Sequence, residues 1–210
     1  MIAELKSLAE QKGYKLEFVP IQMLKSFEQG LIQFTNEPYL YHKQRANVES
    51  QIPYLHLIGQ PSKYTSIIII AVPRRNFSIH EKAARALIKD AIKKAGHAVK
   101  NHDVLPFKRL AVQSGLAKYG RNNITYVDGM GSFCKYLALL TSVPCDGDSW
   151  REEPIMTETC EDCHLCINSC PKGAISKDRF LLYREKCVGG GGCSACQDCC
   201  PLNKKGMLVK

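Results

Sequence analysis

The sequence has a single tryptophan, few aromatic residues (8%) and no long apolar stretch. Its longest unbroken hydrophobic run, Ile67 to Val72, falls far short of the ~20 residues that span a bilayer, so no membrane segment is expected. The opening residues, MIAELKSLAEQKG, lack a basic stretch followed by an apolar core, so no secretory leader is expected either. No low-complexity tract is present. Charged residues at 23% and hydrophobic types at 45% describe a globular chain, and 210 residues suffice for one medium domain or two small ones.

Negative charge is in short supply. The formal net charge is +9, and residues 151–210 hold nine Lys/Arg against eight Asp/Glu, so the first 150 residues carry +8. A basic half permits contact with nucleic acid or another polyanion but does not demand it, and a solvated lysine-rich surface is the plainer reading.

Cysteine is nearly absent from the first 150 residues, where only Cys134 and Cys145 occur, and then abundant: nine of the eleven follow residue 159. An odd total crowded into one end of a chain without a leader argues against a disulfide framework and for metal. The composition therefore divides the chain into an α/β region over 1–150 and a cysteine-rich module over 151–210.

Periodicity predicts a helix over 2–12 with Ile2, Leu5, Leu8 and Ala9 on one face, stopped by Gly13, then a strand over Lys15–Val19 and a helix over Gln22–Phe34. Residues 35–60 read as a long ordered loop. The β-branched run Tyr64–Val72 predicts a strand buried on both faces and stopped by Pro73. Ser78 and Glu81 form a capping-box signal for a helix to about Ala95, with Ile79, Ala83, Leu87, Ala91 and Ile92 inward and Gly96 past its end. A strand over Asn123–Val127, a turn at Asp128-Gly129 and a helix over Phe133–Thr141 complete the expectation. The fold class is α+β: an α/β region with a small sheet, followed by the module.

Cys160-x2-Cys163-x2-Cys166-x3-Cys170-Pro171 is the C-x2-C-x2-C-x3-C-P run of bacterial ferredoxins. Three cysteines at this spacing wrap a loop round one iron–sulfur cube, and the fourth ligates the other cube. A second set is present: Cys193-x2-Cys196-x3-Cys200-Pro201, with Cys187 six positions ahead. The crossing assigns Cys160, Cys163, Cys166 and Cys200 to the first [4Fe–4S] cluster, and Cys187, Cys193, Cys196 and Cys170 to the second. Cys199 competes with Cys200, but only Cys200 precedes proline. Cys134, Cys145 and Cys199 read as small buried residues. Zinc sites would show separated C-x2-C pairs instead. Each cube is formally −2, which takes the module to about −3 and the chain to about +5, and requires a reducing compartment, hence the cytoplasm.

Leu105 to Asn122, with Gly115-Leu116 and Gly120-Arg121-Asn122, runs on to Gly131-Ser132; Cys170-Pro-Lys-Gly-Ala-Ile175 and Cys200-Pro-Leu-Asn203 follow. From about residue 103 onward this resembles the epoxyqueuosine reductase family, whose double-cluster module also occurs in the reductive dehalogenases. The resemblance implies a corrinoid enzyme, with base-off cobalamin between the α/β part and the clusters. No Asp-x-His-x-x-Gly motif is present, so no histidine is implied as lower cobalt ligand. Asp103, in Asp-Val-Leu-Pro106, matches the family's general-acid context but sits two residues closer to Gly115-Leu116 than the family pattern; a turn aspartate is the plain alternative. Positions carried over toward a corrin or substrate are Asn122, Thr125, Ser132 and Tyr136. Their plain alternatives are a turn cap, a strand residue, a helix cap and a core residue.

Three departures bear on that implication. Phe107-Lys108-Arg109 stands where the family has a glutamate, Cys187-Val-Gly-Gly-Gly-Gly replaces a longer stretch that underlies the corrin, and no helical-repeat extension follows Lys210. The last argues against tRNA modification. Two functions from different classes follow: a reductase passing electrons to cobalamin or to a small-molecule substrate, supplied by a flavodoxin- or ferredoxin-type donor, or a ferredoxin-type carrier or partner subunit. Nucleic-acid binding, with no aromatic-basic motif, is the weakest reading.

Overall fold

Along β2 (Ser66–Pro73) every residue from Ser66 to Val72 is buried, and the side chains alternate between two cores. Ile67, Ile69 and Ala71 enter one; Ile68, Ile70 and Val72 enter the other. This is the two-sided burial that the isoleucine run implies, at about 1.5–3 kcal/mol per fully buried aliphatic side chain. In the computed structural model, which describes residues 1–36, 42–59, 62–152, 156–177, 182–189 and 192–206, β2 sits centrally in a four-stranded sheet. Its order is β1 (Lys15–Pro20), β2, β6 (Cys134–Thr141), β3 (Val99–His102), with every pairing antiparallel. The fold is thus the expected mixed α+β one with a small sheet.

One face is covered by α1 (Ile2–Glu10) and α5 (Phe77–Lys94), which bring Leu5, Ala9, Ala84, Ile88 and Ile92. The other is covered by α2 (Leu24–Thr35), α4 (Ile52–Gly59) and α6 (Phe107–Gln113). α5 starts at Asn76, in the left-handed region at φ 54°, and no side chain caps it. The expected Ser78–Glu81 box is not formed; Glu81 instead holds Arg85, one turn on, at 3.0 Å. The inward stripe is correspondingly Ala84, Ile88 and Ile92, and Ile79 is exposed.

Two larger corrections follow. The helix expected over 133–141 is β6, because Leu137 and Leu139 feed one core and Ala138 and Leu140 the other, between β2 and β3. Leucine and alanine favour a helix, but sheet pairing and burial override that preference. The loop expected over 35–60 contains α3 (His42–Glu49) and α4. Pro53, in the first turn of α4, costs the helix little there, and Leu55 and Ile58 dock it. The strand expected over 123–127 shrinks to β5 (Thr125–Tyr126), paired with β4 (Lys118–Tyr119). The Asp128-Gly129 turn is present, closed by a bridge between Val127 and Gly131.

The cysteine-rich segment has short helices only: α7 (Leu165–Asn168), α8 (Ala195–Asp198) and α9 (Pro201–Gly206). Its own buried apolar group is small, Cys166, Ile167 and Ile175. It is tied to the β4–β5 hairpin by Thr157, whose N–H donates to the Tyr119 carbonyl at 2.9 Å. Among the described residues no helix is long and apolar enough to cross a membrane.

Candidate iron–sulfur and acceptor site

The loop between β4 and β5, Gly120 to Ile124, reaches both halves of the cysteine-rich segment. Arg121 is buried and spends its guanidinium on backbone carbonyls: Nη2 donates to Cys160 at 3.0 Å and Glu161 at 3.3 Å, and Nη1 to Lys177 at 3.2 Å. Asn122 turns to the other half. Its Nδ2 donates to the Cys196 carbonyl at 3.2 Å and to the Tyr126 oxygen at 2.8 Å. Burial raises the Tyr126 phenol well above the ordinary tyrosine range, reinforced by a hydrogen bond to the Cys200 sulfur. Only glycine fits at position 120, because a Cβ there would lie 2.5 Å from Tyr126 Cε2 and 2.9 Å from Asn122 Oδ1.

The cysteines gather in two neighbourhoods. Burial first, then repulsion from Cys200 and Cys163, raises the Cys160 thiol. Cys166 is raised to about 11 by burial, then by Cys160, Cys199 and Cys163. Cys196 is raised to about 11 by burial, then by Cys187 and Cys193. Cys170, Cys187, Cys193 and Cys196 together line one cavity of about 460 Å³. Such crowding favours neutral thiols until iron displaces their protons. The Ala174 N–H donates to the Cys170 sulfur at 3.3 Å, as an amide serving a cluster sulfur would. Among the described residues no trio of His, Cys, Asp or Glu converges on a point suited to one metal ion. In a cube each cysteine binds its own iron, so its ligands stand apart. The crowded thiols and the amide at the Cys170 sulfur are the features that fit [4Fe–4S] chemistry.

Cys199 packs beside Cys166, Cys170 and Cys196 in the small core, and its thiol donates to the Cys196 carbonyl at 3.7 Å. Cys134 and Cys145 pack against the two sheet cores. Cys199 thus neighbours Cys166 and Cys196, one proposed ligand of each cluster.

The residues carried over toward a corrin are not all brought together. Asn122 lines the cavity. Tyr136 donates to Thr125 Oγ1 at 2.8 Å, so these two satisfy each other. Among the described residues Ser132 Oγ is buried without a partner, while its N–H donates to Asn203 Oδ1 at 2.8 Å. Asp103 is largely exposed, ion-paired with Arg85, and not among the cavity residues. The four cysteines that line the cavity are the proposed ligands of the second cluster, so a bound cube would take up this space. Arg121 and Tyr126 were not singled out from sequence. The pattern Gly-Arg-Asn marked the loop, but nothing in it shows which carbonyls the arginine meets.

Residues 153–176 match the family described as 4Fe-4S binding domain. The epoxyqueuosine reductase of Staphylococcus aureus (strain NCTC 8325 / PS 47) is 26% identical over 121 residues, 48% of this chain but 30% of that protein. Epoxyqueuosine reductase from Bacillus subtilis, solved with an aspartate-bearing catalytic loop swung out of its active site, superposes with a TM-score of 0.68 at 21% identity. That superposition covers 96% of this chain and 65% of that one. An epoxyqueuosine reductase solved with an epoxyqueuosine-modified tRNA-Tyr stem loop gives 0.64 at 19% identity, with the same coverages. The chain thus spans about a third of the curated relative and about two thirds of the solved ones. The expectation against nucleic acid finds no support in these likenesses. Sequence likeness over nearly half the chain and fold likeness over 96% of it make this chain similar to the epoxyqueuosine reductases, with a 4Fe-4S binding segment at residues 153–176.

Proposed function

We propose that the chain is an oxidoreductase that relays electrons through two [4Fe–4S] clusters to an acceptor held between the α/β region, 1–150, and the module, 151–210. One observation carries this reading: the loop between β4 and β5 is fastened to both ligand sets, Arg121 to the Cys160 carbonyl and Asn122 to the Cys196 carbonyl, so the proposed relay abuts the α/β region. Cys160, Cys163, Cys166 and Cys200 would hold the first cluster, and the four cavity cysteines the second. When bound, the cubes supply one-electron transfer at low potential.

The chain's own residues do the positioning. Arg121 pins the first ligand loop, Asn122 pins the second, and the Tyr126 phenol lies beside the Cys200 thiol. Such contacts stabilise the more negative, reduced state of a cluster. The proposed acceptor is cobalamin, which the resemblance alone supplies, or a small-molecule substrate. Its electrons would come from a flavodoxin- or ferredoxin-type donor in a reducing compartment, the cytoplasm.

Iron and acid-labile sulfide are measured on anaerobically loaded protein, with Cys199→Ser and Cys200→Ser beside the parent. Two cubes per chain are expected, with iron kept in Cys199→Ser and about half lost in Cys200→Ser. One cube in the parent, or the reverse order of the variants, refutes the ligand assignment. Titration with cob(II)alamin under EPR separates the two acceptors: a base-off cobalt signal saturating at one equivalent identifies cobalamin, and a signal that stays in its free form removes it.

A further inference from the structure

The two Cys-x3-Cys-Pro turns repeat one another in backbone as well as in sequence. The Cys200 N–H donates to the Gln197 carbonyl at 3.2 Å, as the Cys170 N–H does to the Ile167 carbonyl at 3.2 Å. Three residues past each of these cysteines an N–H turns back to it: Asn203 donates to the Cys200 carbonyl at 3.1 Å, and Gly173 to the Cys170 carbonyl at 3.2 Å. At this matched position the halves differ. Gly173 has no side chain, whereas the side chain of Asn203 is buried and used at both ends. Its Nδ2 donates to the Gln197 carbonyl at 2.9 Å, and its Oδ1 accepts the Ser132 N–H at 2.8 Å.

A helix of one turn, such as α8, is not held by its own hydrogen bonds, and the carbonyls at its end need partners from outside. Two asparagines supply them at consecutive residues, Asn122 at Cys196 and Asn203 at Gln197. The stretch held in this way, Cys196 to Cys200, bears one proposed ligand of each cluster. The first half makes the same turn with glycine, so the turn itself does not require an asparagine. What Asn203 adds is the tie to Ser132, in the α/β region just ahead of β6.

We propose that Asn203 is a positioning residue: it seats the segment bearing Cys196 and Cys200 against the α/β region, closes that contact to water, and thereby sets the potential of the relay. Water reaching a cube stabilises its more negative, reduced state and raises the potential, so a closed contact keeps it low. The inference rests on the two-cluster reading for the identity of the ligands, and deepens it by naming the residue that registers them against the acceptor side.

Asn203→Gly gives the second half the residue that the first half already has, so the turn can still form. Gly131→Ala disturbs the same contact from the opposite side, because its Cβ would crowd Asn203 Oδ1. Parent and both variants are loaded anaerobically, their iron is measured, and their clusters are titrated reductively under EPR. Iron content as in the parent is expected, with at least one reduction midpoint moved to higher potential in both variants. Exchange of the Ser132 amide is expected to quicken roughly fivefold or more in Asn203→Gly, as loss of one hydrogen bond implies. Unmoved midpoints overturn the proposal, and so does loss of iron from folded Asn203→Gly, which would make the side chain a device for retaining the cluster. Should Asn203→Gly not fold, the midpoints of Gly131→Ala decide alone. A parent with only one cube would instead overturn the two-cluster reading, and the midpoint of the cube that remains would still decide the role of Asn203.

Discussion

Gly131 has φ +61°, and a Cβ there would lie 2.8 Å from Asn203 Oδ1 and 3.3 Å from the Leu202 carbonyl. Gly129, two residues earlier, has φ +77° and nothing within 4 Å of a Cβ. Alanine at either position forces an L residue into the left-handed region, at about 1–2 kcal/mol. Gly131→Ala must in addition displace Asn203, whose side chain joins the Ser132 N–H to the Gln197 carbonyl. Urea unfolding is therefore expected to show Gly131→Ala losing about 1–3 kcal/mol more than Gly129→Ala, the worth of an unmade buried hydrogen bond. Equal losses would mean that the Asn203 contact contributes nothing. The need for glycine at a turn could be read from Gly131-Ser132. Its partner, more than seventy positions on, could not, because nothing local to either segment encodes their meeting.

At the scale of elements, legibility followed how local the deciding force was. The β2 run carries its own signature, since four successive isoleucines have nowhere to go except two apolar faces. The cysteine spacings are likewise local, because a short loop must reach one cube. β6 is the opposite case. Leu137-Ala138-Leu139-Leu140 suits a helix until β2 and β3 flank it on either side. Leu139→Ala, at a fully buried position, is expected to cost about 2–5 kcal/mol in chemical denaturation. Lys135→Ala, toward the exposed end of the same strand, loses only its ammonium's contact with the Phe77 ring and is expected to cost under ~1 kcal/mol. Comparable effects from the two would contradict the inward registration of β6.

The molecule as a whole joins a part that can hold itself together to one that cannot. The sheet has a large apolar core on each face, whereas the cysteine-rich segment buries few apolar side chains of its own. Iron binding must therefore supply much of that segment's folding energy. Removing iron with a chelator is expected to abolish hydrogen-exchange protection over residues 156–177, 182–189 and 192–206, while amides of β2 and β6 keep theirs. Simultaneous loss in both would show one cooperative unit and remove the division near residue 150. Arg121 crosses this divide and carries a charge that no tolerable pH removes. The bias it places on a cluster bound at Cys160 is consequently a constant: acidifying the surroundings leaves that contribution to the driving force untouched.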